Sequence, residues 1–193
     1  LRPILSLMPV QLIIKKSLII FTFIIFLFTQ NKLYPSTQEI NIEDFGIISI
    51  MYHRFNENKY PSTNIKVDDF KKHIEIIENQ NIEFVNPKNF EVDLSQNKKR
   101  RKILLTIDDG YSSFYNNAWP YLKEKKIPFI LFVSTETVGK NGYMSWDEIK
   151  EIEKEDFVFL GNHSHSHEYL INYNFKNFKK DIDRSINIFK KNI

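Results

Sequence analysis

Apolar positions along this chain alternate between unbroken short runs and stripes that recur every third or fourth residue. Unbroken runs of four to eight residues predict strands buried on both faces, and three-and-four recurrence predicts helices with one apolar side. The runs are Gly46 to Tyr52, Ile82 to Val85, Ile103 to Ile107, Ile127 to Val133 and Phe157 to Leu160. Between them, Val67 to Asn79 predicts a helix with Phe70, Ile74 and Ile77 on one side, and Pro87 opens a short helical turn. The helix after Asp108-Asp109-Gly110 must begin late or kink, because Pro120 cannot sit in a helix interior. Ser145 and Glu148 form a capping box that starts a helix running to about Lys154. Strand and helix alternate without an internal repeat, which predicts a parallel α/β architecture. Five strands are too few for a closed eight-stranded barrel.

Both ends depart from this rhythm. At the C-terminus Phe178, Ile182, Ile186, Phe189 and Ile193 make a helical stripe that stops without glycine, cap or following strand. That pattern reads as a truncated chain whose last helix lies partly exposed. At the other end Lys15-Lys16 precede Ser17 to Thr29, thirteen residues with ten strongly apolar members. The stretch has the length of a signal-peptide core and falls short of a comfortable membrane span. No small-residue cleavage site follows, so residues 1–29 are read as an export signal or an uncleaved membrane anchor. Residues 30–44, polar and containing Pro35, read as a linker, and residues 45–193 as one domain.

Composition narrows the chemistry. The formal charge of +3 is too small to argue for nucleic acid, and the basic run Lys98 to Lys102 reads as a solvated loop. Cysteine is absent, so a metal would be held by nitrogen and oxygen alone. Candidate donors follow two of the predicted strands. Asp108-Asp109-Gly110 comes after Ile107, and His163-Ser164-His165-Ser166-His167 comes shortly after Leu160. The carboxyl ends of parallel strands are where catalytic groups collect. Two carboxylates and a histidine pair four residues apart can hold one divalent ion and leave a carboxylate free, which suits metal-assisted hydrolysis. Either motif alone is a common turn or a common histidine pair; their combination carries the argument.

Thr106-Ile107-Asp108-Asp109-Gly110 resembles the T-F-D-D-G motif of polysaccharide deacetylases, the NodB-like domains of carbohydrate esterase family four. His163 to His167 matches that family's H-[ST]-x-x-H motif. Gly161-Asn162, Met144-Ser145-Trp146 and Met51-Tyr52-His53 look like the branch acting on N-acetylglucosamine polymers. The resemblance covers roughly Phe45 to Ile193 and implies a partial, distorted β/α barrel. It implies Asp109, His163 and His167 as metal ligands, zinc being the favoured ion, and Asp108 as general base. It also implies the Tyr111 backbone N–H as oxyanion donor. His53 reads either as a residue supporting substrate or ligands, or as strand-end packing. His165 and His73 read as bystanders, and Ser164 and Ser166 as braces of the loop. The implied activity is removal of N-acetyl groups from an envelope or extracellular polysaccharide by an exported enzyme, with membrane association through the N-terminal segment. The alternative is a non-catalytic module that keeps the metal and binds glycans. A phosphohydrolase using the same aspartates is disfavoured by the lack of a glycine-rich phosphate loop. The family's arginine, aromatic groove walls and histidine acid are expected beyond Ile193.

Overall fold

The computed structural model describes residues 46–96 and 101–193, so the apolar segment 17–29 and the linker 30–44 lie outside the described residues. Among the described residues the strands are β1 (Ile47–Tyr52), β2 (Arg54–Phe55), β3 (Asn64–Ile65), β4 (Glu83–Phe84), β5 (Lys102–Ile107), β6 (Phe129–Val133) and β7 (Val158–Asn162). Five of them form one sheet in which every pair is parallel. β1 pairs with the whole of β5, from Ile47–Lys102 to Tyr52–Ile107. β4 and β6 share the opposite edge of β5, β4 beside Lys102 and β6 beside Ile107. β7 then pairs with β6 up to Val133–Asn162. β2 and β3 make a separate two-stranded ribbon, too short to leave a readable period in the sequence.

β5 is buried at all six positions, as a central parallel strand with covered faces should be. This corrects the reading of Lys102 as part of a solvated loop. It opens the strand, and its ammonium sits 2.7 Å from Asp93 and 3.4 Å from Glu83. Of the rest of the basic run, Arg101 is exposed and residues 98–100 lie outside the described residues.

The helices follow the predicted punctuation. α1 (Val67–Asn79) buries Phe70, Ile74 and Ile77. A 3-10 turn at Pro87–Asn89 leads into α2 (Phe90–Gln96), which the sequence did not announce. Pro120 splits the next helix into α3 (Ser112–Asn117) and α4 (Trp119–Lys125), and takes the first turn of the second, where its missing N–H costs nothing. α5 (Trp146–Glu153) begins with the capping box: Ser145 Oγ accepts from Glu148 N at 3.3 Å and Glu148 Oε2 accepts from Ser145 N at 2.7 Å. α6 (Phe175–Asn192) is capped by Asn174, whose side chain accepts from Asn177 N at 2.9 Å.

Aromatic side chains fill the core between sheet and helices. Phe55 meets Phe70 edge-on at 5.1 Å, and Phe129 meets Phe114 and Trp119 at 5.5 and 5.9 Å. Burying each such side chain contributes about 1.5–3 kcal/mol. α6 behaves differently. Its buried residues are Asp181 and Ser185, while Phe178, Ile186 and Ile193 are exposed. Phe189 is partly buried against the core and approaches Trp146 edge-on at 5.7 Å. The inward face of the helix is therefore offset by one residue from the apolar stripe.

Register brings the carboxyl ends of four strands together. Tyr52 lies beside Ile107, Ile107 beside Leu131, and Val133 beside Asn162. His53, Asp108 and His163 follow these ends, so they lie at the carboxyl end of the sheet.

Candidate metal centre

The turn after β5 is built to aim Asp109. Asp108 N–H donates to Tyr52 O at 2.8 Å, carrying the β1–β5 ladder one residue past the strand. Asp109 and Gly110 then both take left-handed backbone, φ 74° and 75°. For a residue with a Cβ this region costs roughly 1–2 kcal/mol, which aspartate tolerates better than most. Two hydrogen bonds to the loop before α5 pin the turn: Met144 N to Gly110 O at 2.9 Å and Ser112 N to Gly142 O at 3.0 Å.

The histidine loop is held as tightly. His163 N donates to Val133 O at 3.0 Å, and Ser134 Oγ donates to His163 O at 2.8 Å. Thr135 N and Glu136 N donate to Ser164 O and His165 O at 3.2 and 3.0 Å. Ser164 and His167 are left-handed, φ 67° and 59°, and fold the loop back on itself. As expected the serines brace it, Ser164 Oγ accepting from His167 N at 3.1 Å and Ser166 Oγ from Glu168 N at 3.4 Å.

These two turns bring three sequence-distant side chains to one point. Asp109 Oδ1 lies 3.3 Å from His163 Nε2 and 2.9 Å from His167 Nε2. One ligand atom from each residue falls within 4.8 Å of the other two. Asp109 is buried, whereas the histidine side chains are 34 % and 48 % exposed, so the cluster opens to solvent on one side. Although both ring nitrogens approach it, buried Asp109 Oδ1 accepts no hydrogen bond. A desolvated carboxylate oxygen costs free energy unless something positive answers it. Two imidazole nitrogens and a carboxylate oxygen, with an open side, are a donor set that fits a divalent cation.

Electrostatics separate the neighbouring aspartates. Burial opposes ionisation of Asp109, but His163, His167 and the Tyr111 hydroxyl outweigh it and hold the carboxyl below its usual range. Burial raises Asp108, the charge of Asp109 adds to this, and the charges of His163 and His53 only partly offset it. Asp108 Oδ1 is likewise buried without a partner. His163 is raised by the carboxylate of Asp109. Burial, followed by the Asp109 charge, pushes the Tyr111 hydroxyl far up.

The other candidates fall into place around this centre. His53 follows β1, half-buried, near enough for its charge to act on both aspartates. Tyr111 faces Tyr143 in an isolated antiparallel bridge whose hydrogen bonds come from the flanking residues, and its own N–H has no partner among the described residues. His165 stays out of the cluster: it is buried, with Nδ1 2.9 Å from Thr135 Oγ1. His73 on α1 meets the Tyr52 hydroxyl at 2.9 Å. An open cavity of about 640 Å³ adjoins the histidines, lined in part by Asn162, His163, His167, Tyr169 and Leu170.

Two groups escaped the sequence reading. The Arg54 guanidinium lies over the Tyr111 ring at 3.5 Å and the Tyr60 ring at 4.0 Å, and pairs with Glu57 at 2.7 Å. Nothing local announces a stack between residues so far apart. Asp181 and Ser185 also reach the histidine loop from α6. Their signal was a polar pair four residues apart beside the apolar stripe, which a search for hydrophobic period passes over.

The family model for polysaccharide deacetylases matches residues 95–193, just over half of the chain. A poly-beta-1,6-N-acetyl-D-glucosamine N-deacetylase of Staphylococcus aureus (strain MRSA252) is 25 % identical over 144 residues, 72 % of this chain and 50 % of that protein. The chain spans about half the length of the curated relatives it matches. Among solved structures, IcaB from Ammonifex degensii is similar with TM-score 0.66 and 26 % identity, over 76 % of this chain and 69 % of that one. The Streptococcus pyogenes deacetylase PplD, in complex with acetate, shares the fold with TM-score 0.67 at 20 % identity, over 77 % of this chain and 70 % of that one. The turn that presents Asp109 and the loop that spaces the histidines both fall within the matched residues, and the chain belongs to the polysaccharide deacetylase family.

Proposed function

We propose that this domain hydrolyses N-acetyl groups from a polysaccharide containing N-acetylglucosamine, with one divalent ion held by Asp109, His163 and His167. The observation that carries this reading is Asp109 Oδ1, buried between two imidazole nitrogens and accepting no hydrogen bond. Zinc is the favoured ion, because nitrogen and carboxylate donors with an open position are its usual catalytic setting. Bound there, the ion supplies Lewis acidity to a carbonyl oxygen and acidifies a water at neutral pH.

The chain's own residues do the rest. Asp108, with an unpaired buried oxygen, takes a proton from the attacking water. The N–H of Tyr111 donates to the oxygen that gains charge as the amide becomes tetrahedral. Asp109 keeps its charge and orients the two imidazoles. His53, which follows β1 at the same end of the sheet, lies in reach of the base as a supporting residue, and the cavity beside the histidines receives the sugar. Water and the amide become acetate and a free amine. The substrate class rests on the name of the Staphylococcus aureus relatives. Such a polymer lies outside the cytoplasm, in keeping with export directed by residues 1–29, either as a cleaved signal or as an anchor. Among the described residues no helix is long and apolar enough to cross a membrane.

The test is acetate release from β-1,6-linked N-acetylglucosamine oligomers and from chito-oligosaccharides, with zinc and after chelation. Release that needs the ion supports the reading. A protein that binds zinc and oligomers but releases no acetate is instead a glycan-binding module.

A further inference from the structure

The loop from His163 to His167 carries two of the three ligands, and beyond the turn that presents Asp109 its backbone is held from two sides. One is the end of β6, described above. The other is α6. Asp181 Oδ1 accepts from His165 N at 2.8 Å and Asp181 Oδ2 from Ser166 N at 3.1 Å, so one carboxylate bridges two successive loop amides. One turn further along α6, fully buried Ser185 Oγ accepts from Asn162 Nδ2 at 2.8 Å. Asn162 in turn accepts from Ser164 N at 2.9 Å. Every residue from Asn162 to Ser166 except His163 is thus tied, directly or through Asn162, to the polar face of α6.

These bonds matter because the loop is not in a relaxed conformation. Ser164 and His167, both with a Cβ, are left-handed, which costs roughly 1–2 kcal/mol each and persists only where the surroundings enforce it. Asp181 itself is buried, 8 % exposed, on a helix where Phe178 and Ile186 stay in water. A buried carboxylate needs strong donors, and the two amides supply them as charge-assisted hydrogen bonds. Carboxylate and amides therefore satisfy each other and hold one another in place.

We propose that Asp181 is a positioning residue: from α6 its carboxylate fixes the backbone that spaces His163 and His167, and so sets the geometry with which the two rings meet Asp109. The inference rests on the metal-site reading and extends it to a helix with no ligand of its own. Groups that orient metal ligands without touching the ion change affinity by about 10–100-fold when removed.

The test compares Asp181→Asn with the wild type in two measurements on the full chain. Hydrogen exchange of residues 163–168 without metal reads the loop directly, and competition against a chromophoric chelator reads zinc affinity. Asp181→Asn puts an amide where the second acceptor oxygen was. It is expected to lose exchange protection at His165 and Ser166 and to weaken zinc about 10–100-fold. Asp183→Asn, on the same helix but exposed and paired with Lys179, serves as control and is expected to change neither. Ser185→Ala, the milder cut, is expected to weaken zinc several-fold and decides the matter if Asp181→Asn does not fold. Wild-type protection and affinity in the deciding variant overturn the proposal. A loosened loop with weakened zinc in a chain that releases no acetate leaves the clamp standing and removes only the deacetylase reading.

Discussion

Asp108 and Asp109 are adjacent in sequence and opposite in electrostatic fate. Asp109 points at two imidazoles and stays ionised, while Asp108 is buried beside a like charge and is pushed up. When a site drives two carboxyls apart in this way, the roles divide: one holds charge and the other moves protons. In the proposed mechanism Asp108→Asn keeps the shape and loses the base, so hydrolysis should fall about 10²–10⁴-fold while zinc affinity stays near wild type. His163→Ala should lose both, since one of the three proposed ligands goes. Steady-state acetate release and chelator competition on the two variants check this. Equal loss of zinc in both would make Asp108 a ligand and reverse the assignment.

At the scale of elements, short polar devices hold the parts that present the site. The capping box at Ser145 starts α5, and the loop before that helix is hydrogen-bonded to Gly110. Ser145→Ala should cost about 0.5–2 kcal/mol in urea denaturation. Gly161 matters through packing: a Cβ there would overlap the ring of Phe132 on the neighbouring strand. Gly161→Ala should destabilise by about 1–3 kcal/mol and loosen zinc as β7 shifts, read in the same two assays. Asp181 gives α6 a pH signature. Burial opposes its ionisation, but hydrogen bonds from Ser166 and His165 prevail and hold its pKa below the ordinary value. A carboxyl depressed on folding adds stability that is present above its unfolded pKa of about 3.9 and lost as pH falls through the lower folded value. Asp181→Asn should therefore be less stable than wild type near neutrality, and the gap should close in denaturation series taken below about pH 4.

For the whole molecule, the metal and the fold should stabilise each other. The three donors come from two turns more than fifty residues apart in sequence, so the unfolded chain has no such site. An ion that binds only the folded form adds about 2.7 kcal/mol at a hundred times its Kd, roughly 5–10 °C in Tm for a domain of this size. Zinc should raise Tm by that amount, a chelator should reverse it, and His163→Ala should show no shift in differential scanning fluorimetry. A wild-type Tm indifferent to zinc would count against the centre. The exposed Phe178, Ile186 and Ile193 contribute little to this stability.

What the sequence determined by itself was local or periodic. Buried runs marked the sheet strands to within two or three residues, Pro120 marked the break between α3 and α4, and Ser145-x-x-Glu148 marked a helix start. Hydrophobic period and capping act within a few residues, so they are legible in the chain. The members of the candidate centre, Asp109, His163 and His167 with Asp108 beside them, could be picked out too, because each motif is contiguous and follows a strand. Tertiary structure alone decided how those motifs meet, since register across β1, β5, β6 and β7 is a property of pairing between distant segments. It also decided that Lys102 is buried in an ion pair, that Arg54 stacks on Tyr111, and that α6 turns Asp181 and Ser185 inward. Hydrophobic pattern predicts which face of a helix would leave water if apolar burial were all that mattered. Here unpaired loop amides needed acceptors, and a buried N–H without one costs about as much as the burial of a side chain returns.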